Sequence, residues 1–251
     1  MRGLAEFGRK TWIDGGSIRN YPERESMHSL DNVIWKALNT SQAHLGTSCG
    51  EARKFLKEVS LLGAFLEPSD EAYDSLAELV DKGERVGLFL EAAPTPTSEW
   101  KIVASMPLLQ MIHEYGSSPM TSDLSGLQQL GEADVPEMVA LTKLTKPGPF
   151  ATRTREMGDY FGVREDGALV AMAGERLRLP GFTEVSAVCT HPEHLGQGYA
   201  RRLLALLLNR IQGRGDQAFL HVREDNTRAV ELYERMGFRK RALLKYALLS
   251  K

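Results

Sequence analysis

Hydrophobic positions in residues 27–120 follow the periods of short helices and strands. The run "LDNVIWKALN" places apolar residues at helical spacing after Asp31, a candidate N-cap, and "SDEAYDSLAELVDKG" predicts a second helix between the cap Ser69 and the stop Gly83. Strands are predicted in "KFLKEVSLLGAFLE" and "RVGLFLE". We therefore predict an N-terminal α/β lobe.

Residues 127–251 show longer strand patterns and strongly amphipathic helices. "LQQL" predicts a short strand, a helix with Pro136 in its first turn follows, and a further helical stretch comes after "KPGPF". "YFGVREDGALVAMAGERLRL" predicts a hairpin that turns at Asp-Gly, and "FTEVSAVCT" predicts another strand. A leucine-rich helix, the strand "AFLHVR", the helix "NTRAVELYERMG" and two final strands complete the order β-α-α-β-β-β-α-β-α-β-β.

Segments without helix or strand periodicity lie outside these regions and predict the domain organisation. The Gly, Ser, Pro and Thr of "YGSSPMTSDLSG", residues 115–126, are typical of a linker. Residues 1–26 have no sustained periodicity and are predicted to be an extension without a core of its own. The prediction is an extension at 1–26, an α/β lobe at 27–120 and a second domain at 127–251.

Composition excludes several classes of protein. The chain has 42% hydrophobic and 25% charged residues, as ordinary globular proteins do, and lacks an apolar run of the roughly 18 to 20 residues that span a membrane. Residues 124–251 hold 19 Lys and Arg against 15 Asp and Glu, a net +4 within a chain of net −2, which is a weak basic bias for a nucleic-acid surface. We expect a cytoplasmic protein that binds neither nucleic acid nor membrane.

Cysteine and histidine spacing gives no sign of a metal site. The two cysteines, Cys49 and Cys189, are too few for a disulfide framework and lie far apart. His191 and His194 have no third ligand nearby in the sequence. We therefore predict no metal.

The stretch "HPEHLGQGYARRLLALLLNRIQ" carries candidate chemistry. Gly196 and Gly198 permit backbone conformations closed to other residues, and the helix that begins there presents unpaired N–H groups to an anion such as phosphate. Arg201 and Arg202 are further candidate phosphate contacts. The alternative is a glycine turn before a core helix. GxGxxG fails at Arg201, and no Gly-Lys-Ser/Thr is present for a P-loop.

Three blocks in order resemble the GNAT superfamily of N-acetyltransferases, in its FR47-like branch, over residues 127–251. "LGQGYA" is similar to the pyrophosphate loop Arg/Gln-x-x-Gly-x-Gly/Ala, with Leu195 departing from the pattern, and "AVCTHPEHLG" precedes it as the family's fourth strand does. Downstream, "NTRAVELYERMGF" matches N-x-x-A-x-x-L-Y-x-x-x-G-F. The resemblance implies a C-terminal GNAT domain of α/β (α+β) class with a mixed, mostly antiparallel sheet flanked by helices. The N-terminal lobe would then be a degenerate GNAT-like half.

The resemblance also implies how acetyl-CoA binds. Backbone groups of Val188 and Thr190 would pair with the pantetheine arm, and Asn226 would hydrogen-bond the same arm. The pyrophosphate would lie on the glycine loop and the first helical turn, where the matching residues are Gly196, Gln197, Gly198, Tyr199, Ala200 and Arg201.

Transfer of an acetyl group to an amine requires removal of a proton from the nucleophile and stabilisation of the departing thiolate. Tyr233 matches the family's general acid. For the base, Glu184, with a pKa that partial burial would raise, competes with His221 on the neighbouring strand. A water chain without a single base is the third alternative.

These features predict an acetyl-CoA-dependent N-acetyltransferase that transfers the acetyl group to a primary amine by direct attack in a ternary complex. The alternative is a non-catalytic acyl-CoA-binding or interaction module. The expected partner is a small-molecule or peptide amine acceptor, and the sequence leaves a homodimer open.

Overall fold

The computed structural model describes residues 28–114, 116 and 123–251. The predicted extension at 1–26 and much of the predicted linker at 115–126 lie outside the described residues. Residues 28–31 belong to a first compact unit, in which the Asp31 amide donates to the carbonyl of His28 at 2.9 Å. Residues 32–251 form the second unit, which contains all the helices and strands below.

Five α-helices and eleven strands make up the described part of this second unit. The helices are α1 (Val33–Leu38), α2 (Asp70–Ala77), α3 (Val135–Thr145), α4 (Tyr199–Gly213) and α5 (Thr227–Arg235). The strands are β1 (Gly46–Cys49), β2 (Ala52–Phe55), β3 (Gly63–Phe65), β4 (Arg85–Leu90), β5 (Lys101–His113), β6 (Leu127–Gln129), β7 (Tyr160–Glu165), β8 (Ala168–Leu179), β9 (Phe182–Thr190), β10 (Gln217–Arg223) and β11 (Phe238–Ser250).

Eight of these strands form one sheet in the order β4-β11-β5-β10-β9-β8-β7-β6. Strands β9 and β10 are parallel, and the other described neighbours in the sheet are antiparallel. This mixed, mostly antiparallel sheet flanked by helices confirms the predicted fold class. Because β4 and β5 precede residue 120 and the other six strands follow it, the predicted domain boundary falls inside one sheet.

The remaining strands, β1 to β3, form a separate antiparallel sheet that packs with α2. Ser69 caps α2 as predicted, with its hydroxyl accepting from the Ala72 amide at 3.1 Å. The predicted cap Asp31 is wrong, since the N-cap position of α1 is Asn32, whose side chain makes no capping hydrogen bond. Rather than forming a second half of their own, residues 85–113 supply β4 and β5 to the main sheet.

Three other predictions differ from the structure. The helical stretch after "KPGPF" is a single 3-10 turn, Thr154–Met157, and the two final strands are one strand, β11, with an irregularity between Lys240 and Ala242. Strand β5 was not predicted, because Pro107 interrupts its apolar pattern. Pro107 lacks an N–H group, and it lies just where β10 stops pairing with β5 at Leu108.

Strand alternation divides the main core into two layers. Phe161 and Val163 of β7 pack in the cluster that contains α4 and α5, whereas Tyr160 packs in the cluster that contains Met138 and Leu141 of α3. Successive strand residues point to opposite faces, so α3 covers one face and α4 with α5 the other. Strand β9 lies between the two layers, since Val185 belongs to one cluster and Ala187 to the other.

Candidate active site

The parallel strands β9 and β10 pair only over their first three residues. The pairs are Gln217 with Phe182, Ala218 with Thr183 and Phe219 with Glu184. Beyond them, β9 stays bonded to β8 and β10 to β5, so the two strands diverge. A cavity of about 830 Å³ is lined by the diverging segments, residues 185–190 of β9 and 221–223 of β10.

A bulge in β9 shapes the cavity wall. The β8–β9 register shifts between Met172 and Gly174, and Ala187 in the bulge has a φ of 53°, a conformation that a non-glycine residue adopts at a cost. The His191 amide donates to Val170 in β8 at 2.7 Å. Alternation along the strand then directs the backbone groups of Thr190 and Val188 away from β8, and both residues line the cavity.

The glycine turn lies at the same cavity. Gly196 and Gly198 have φ values of 82° and 78°, and a Cβ added to either would meet nothing within 4 Å, so backbone conformation rather than packing requires glycine there. Helix α4 begins at Tyr199 with no acidic residue in its first turn. The first N–H groups of a helix lack intrahelical acceptors, and an anion in the cavity can accept from them. All six predicted loop residues line the cavity: Gly196, Gln197, Gly198, Tyr199, Ala200 and Arg201.

Side chains around this turn differ in whether other described residues already engage them. Arg201 makes no hydrogen bond or ion pair among the described residues, whereas Arg202 donates to the carbonyls of Asp123 and Ser125 and does not line the cavity. The Tyr199 hydroxyl donates to Glu165 at 2.6 Å, which leaves its backbone as the group for a ligand. Leu195 is 48% exposed and lines the same cavity, so the departure from the family pattern places an apolar group beside the glycine turn.

Asn226 and Tyr233 reach the cavity from helix α5. The Asn226 side-chain oxygen accepts from the Ala229 amide at 3.3 Å and caps the helix, while its NH₂ group has no hydrogen bond among the described residues. Tyr233 is 8% exposed and packs edge-on against Phe238. Burial, together with the neighbouring Cys189, raises the pKa of Tyr233 to about 12, so its phenol keeps the proton at neutral pH.

A chain of hydrogen bonds contributes two of its members, Arg176 and His221, to one end of the cavity wall. Arg241 donates to Gln110 Oε1 at 2.6 Å, Gln110 Nε2 lies 3.1 Å from His221 Nε2, and His221 Nδ1 lies 2.6 Å from Glu184 Oε1. Arg176 donates to both Glu184 oxygens, from Nε at 2.8 Å and Nη2 at 2.7 Å. Because arginine only donates, Arg241 orients the Gln110 amide, and His221 then carries its proton on Nδ1.

Glu184 does not have the properties predicted for it. It is fully buried and is not among the residues that line the cavity. Burial disfavours its charged form, but the charge of Arg176 and the hydrogen bonds from Arg176 and His221 outweigh that effect and lower the pKa to about 2. The predicted raised pKa is therefore wrong, because the bidentate ion pair was not visible in the sequence.

His221 lines the cavity, and burial lowers its pKa, so its imidazole is neutral at pH 7. Both ring nitrogens are engaged, Nδ1 by Glu184 and Nε2 by Gln110. To accept a proton from a substrate, His221 would have to release the Gln110 hydrogen bond. No Asp or Glu among the described residues lines the cavity.

Several residues of the cavity were missed in the sequence. Leu62, Phe89 and Met106 come from the N-terminal lobe, and Tyr246 comes from β11. Their signal was weak, because each is an apolar or aromatic residue in an apolar stretch. Two adjacent charged residues, Glu175 and Arg176, lie inside the apolar strand β8. They were the signal that could have located the buried ion pair between Arg176 and Glu184.

The described residues contain no cluster of three or more His, Cys, Asp or Glu side chains placed to hold a metal ion. None of their helices combines the length and the apolar character needed to cross a membrane.

Comparison with known proteins places this geometry in a family. Residues 160–247 match the model of the FR47-like protein family. A solved structure from Novosphingobium aromaticivorans, described as a GNAT-family acetyltransferase, is 38% identical and covers 90% of this chain and 99% of its own, with a TM-score of 0.83. The chain belongs to the GNAT family of acetyltransferases.

Two other proteins are similar to this chain, one in sequence and one in fold. The N-alpha-acetyltransferase RimI of Mycobacterium tuberculosis is 41% identical over 101 residues, which are 38% of this chain and 63% of that protein. The match therefore spans less than two thirds of that relative's length. A GCN5-related N-acetyltransferase from Kribbella flavida shares the fold, with a TM-score of 0.56 at 18% identity over 88% of this chain and 93% of its own.

The Glu184→Gln variant tests the buried ion pair. Removing the carboxylate charge leaves Arg176 buried without a counter-ion, so we expect the free energy of unfolding at pH 7 to fall by about 3–5 kcal/mol in urea titrations. The exposed Glu193→Gln is the matched control.

The same variant predicts a pH dependence. The folded-state pKa of Glu184, about 2, lies below the ordinary value of 4.5. The charged carboxylate contributes roughly 3 kcal/mol to the free energy of unfolding. This contribution is complete above pH 4.5 and is lost as the pH falls towards 2. The difference between wild type and Glu184→Gln should therefore narrow in acid. Equal stabilities at pH 7, or a difference that does not change with pH, would contradict this account.

Proposed function

We propose that this protein is an acetyl-CoA-dependent N-acetyltransferase that acts on a primary amine by direct attack in a ternary complex. The observation that carries the proposal is the meeting of three features at one cavity: the divergence of β9 and β10, the glycine turn at the start of α4 and the protonated Tyr233. Together they supply a slot for an extended arm, a phosphate site and a proton donor.

The donor would bind along β9. Among the described strands, none pairs with Val188 and Thr190 on the cavity side, so their backbone groups can bond the amides of a pantetheine arm, as a further strand would. The Asn226 NH₂ group can donate to the same arm. The pyrophosphate would accept from the first N–H groups of α4, with Arg201 as a charged contact.

The chemistry requires one bond to form as another breaks. The amine nitrogen attacks the thioester carbonyl, the carbon–sulfur bond breaks, and the electron pair leaves with the sulfur. Tyr233 donates its proton towards the developing thiolate, and the proton lost by the amine passes to water. Assistance of this kind is typically worth about 10² to 10⁴ in rate.

The absence of a carboxylate on the described cavity wall bears on the acceptor. A lysine-like amine, with a pKa near 10.4, is almost fully protonated at pH 7, whereas the α-amine of a peptide, near 8, needs less help to lose its proton. The α-amine of a free amino acid, beside a carboxylate, has a pKa between these two values. An α-amine therefore suits a site in which water rather than a buried base removes the proton. The name of the RimI relative, an N-alpha-acetyltransferase, agrees with this choice.

The Gly198→Glu variant tests donor binding. Its side chain would force a non-glycine residue to a φ of 78° and place a carboxylate at the anion position, so we expect the Kd for acetyl-CoA, measured by calorimetry, to rise at least about tenfold. The control is Gly213→Glu, the same charge change at the exposed end of α4. Unchanged affinity in Gly198→Glu would refute the phosphate assignment.

The Tyr233→Phe variant tests the acid and separates an enzyme from a non-catalytic acyl-CoA-binding module. We expect kcat for amine acetylation to fall by about 10² to 10⁴ with the Kd for acetyl-CoA unchanged. The control is Tyr73→Phe, in the core around α2. A wild type that binds acetyl-CoA but acetylates no amine would favour the binding module.

A further inference from the structure

One nitrogen of Arg176 is not used by the protein. Arg176 is 93% buried, and its Nε and Nη2 atoms both donate to Glu184. Nη1 makes no hydrogen bond among the described residues, and it is not one of the side-chain atoms sealed from solvent. Because Arg176 lines the cavity, this donor is open to a ligand there. A desolvated charged donor gains substantially from an acceptor.

A second open donor lies beside it. The ring of Phe89 lies 5.9 Å from the Arg176 guanidinium carbon, 4.5 Å from the His221 ring and 6.1 Å from the Tyr246 ring, so the four side chains form one group at this end of the cavity. Tyr246 interacts electrostatically with Arg176, and its hydroxyl has no hydrogen bond among the described residues. Arg176 and Tyr246 both line the cavity.

The open donors at this end favour a group that accepts hydrogen bonds. The Arg176 charge is paired with the Glu184 carboxylate, while His221 is neutral. No carboxylate on the described cavity wall is present to receive a second ammonium group. A polyamine or an aminoglycoside would thus bring unpaired positive charge to Arg176, whereas a carboxylate would satisfy Nη1 directly.

We propose that Arg176 Nη1 and the Tyr246 hydroxyl bind the carboxylate of the acceptor, and that the acceptor is a free α-amino acid with an apolar side chain. This inference rests on the proposed acetyltransferase function. The apolar side chain fits the wall formed by Leu62, Met106 and Leu108. An α-amino acid carries its amine one carbon from the carboxylate, so binding at Arg176 holds the amine close to the point where β9 and β10 separate.

Three acceptors that share one carbon skeleton and differ at the carboxyl position test the proposal by steady-state kinetics with acetyl-CoA: L-phenylalanine, L-phenylalaninamide and phenethylamine. Because their amine pKa values differ, kcat/KM is expressed per unprotonated amine. We expect kcat/KM to fall at least about tenfold for the amide and about 100-fold for phenethylamine, chiefly through KM. Tyr246→Phe should lower kcat/KM about tenfold for L-phenylalanine and leave phenethylamine unchanged. Equal kcat/KM for the three acceptors, or a preference for spermidine, would overturn the proposal.

A peptide acceptor is the main competing outcome. The dipeptide Phe-Ala offers a carbonyl rather than a carboxylate next to its first α-carbon. If Phe-Ala were acetylated as efficiently as L-phenylalanine, Arg176 would be bonding a peptide carbonyl, and the amino acid assignment would be wrong.

Calorimetry of L-phenylalanine with the CoA-saturated protein separates this inference from the proposed function. If L-phenylalanine binds, phenethylamine does not and no amine is acetylated, the carboxylate site is supported and the proposed enzymatic activity is refuted. If other amines are acetylated but L-phenylalanine does not bind, the enzymatic activity is supported and the carboxylate site is refuted. The double variant Arg176→Gln, Glu184→Gln exchanges the ion pair for an amide pair. It should lose L-phenylalanine binding and keep acetyl-CoA binding.

Discussion

The early end of pairing between β9 and β10 is the constraint on which the site depends. Parallel neighbours normally bond along their whole length, but here the last paired residue of β9 is Glu184, and it lies at the fork. Beyond it, the side chains of Glu184 and His221 join the two strands at 2.6 Å in place of backbone bonds. Arg176 from β8 neutralises the carboxylate. Strand β8 holds one branch and β5 the other, so the open slot is a property of the whole sheet rather than of a loop.

The arrangement explains why the N-terminal segment belongs to the same structure as the C-terminal one. Strand β5 supports β10 and carries Gln110, which completes the hydrogen-bond chain to His221, while β4 supplies Phe89. The C-terminal residues thus provide the glycine turn and most of the cavity wall, to which Leu62, Phe89, Met106 and Leu108 also contribute. Without β4 and β5, strand β11 and the free edge of β10 would lose their bonding partners.

Local sequence patterns predicted the turns and the helix cap. The glycine turn, the hairpin at Asp166 and Gly167 and the cap Ser69 each need a particular residue type at a particular backbone conformation, so the sequence shows them. The role of Glu184 was different. Its pKa depends on Arg176, eight residues away along the chain but directly opposite in the hairpin, and on His221 in a third strand. Neither this long-range pairing nor the course of β5 through Pro107 produces a periodic pattern in the sequence.

The central claim is that an extended ligand arm occupies the slot between β9 and β10. Amide hydrogen exchange followed by NMR, with and without acetyl-CoA, tests it most directly. The account predicts that the amides of Val188 and Thr190 exchange more slowly when acetyl-CoA is present, while Cys189, which faces β8, changes little. Equal exchange of all three amides in the two states, under conditions where calorimetry shows binding, would contradict the account.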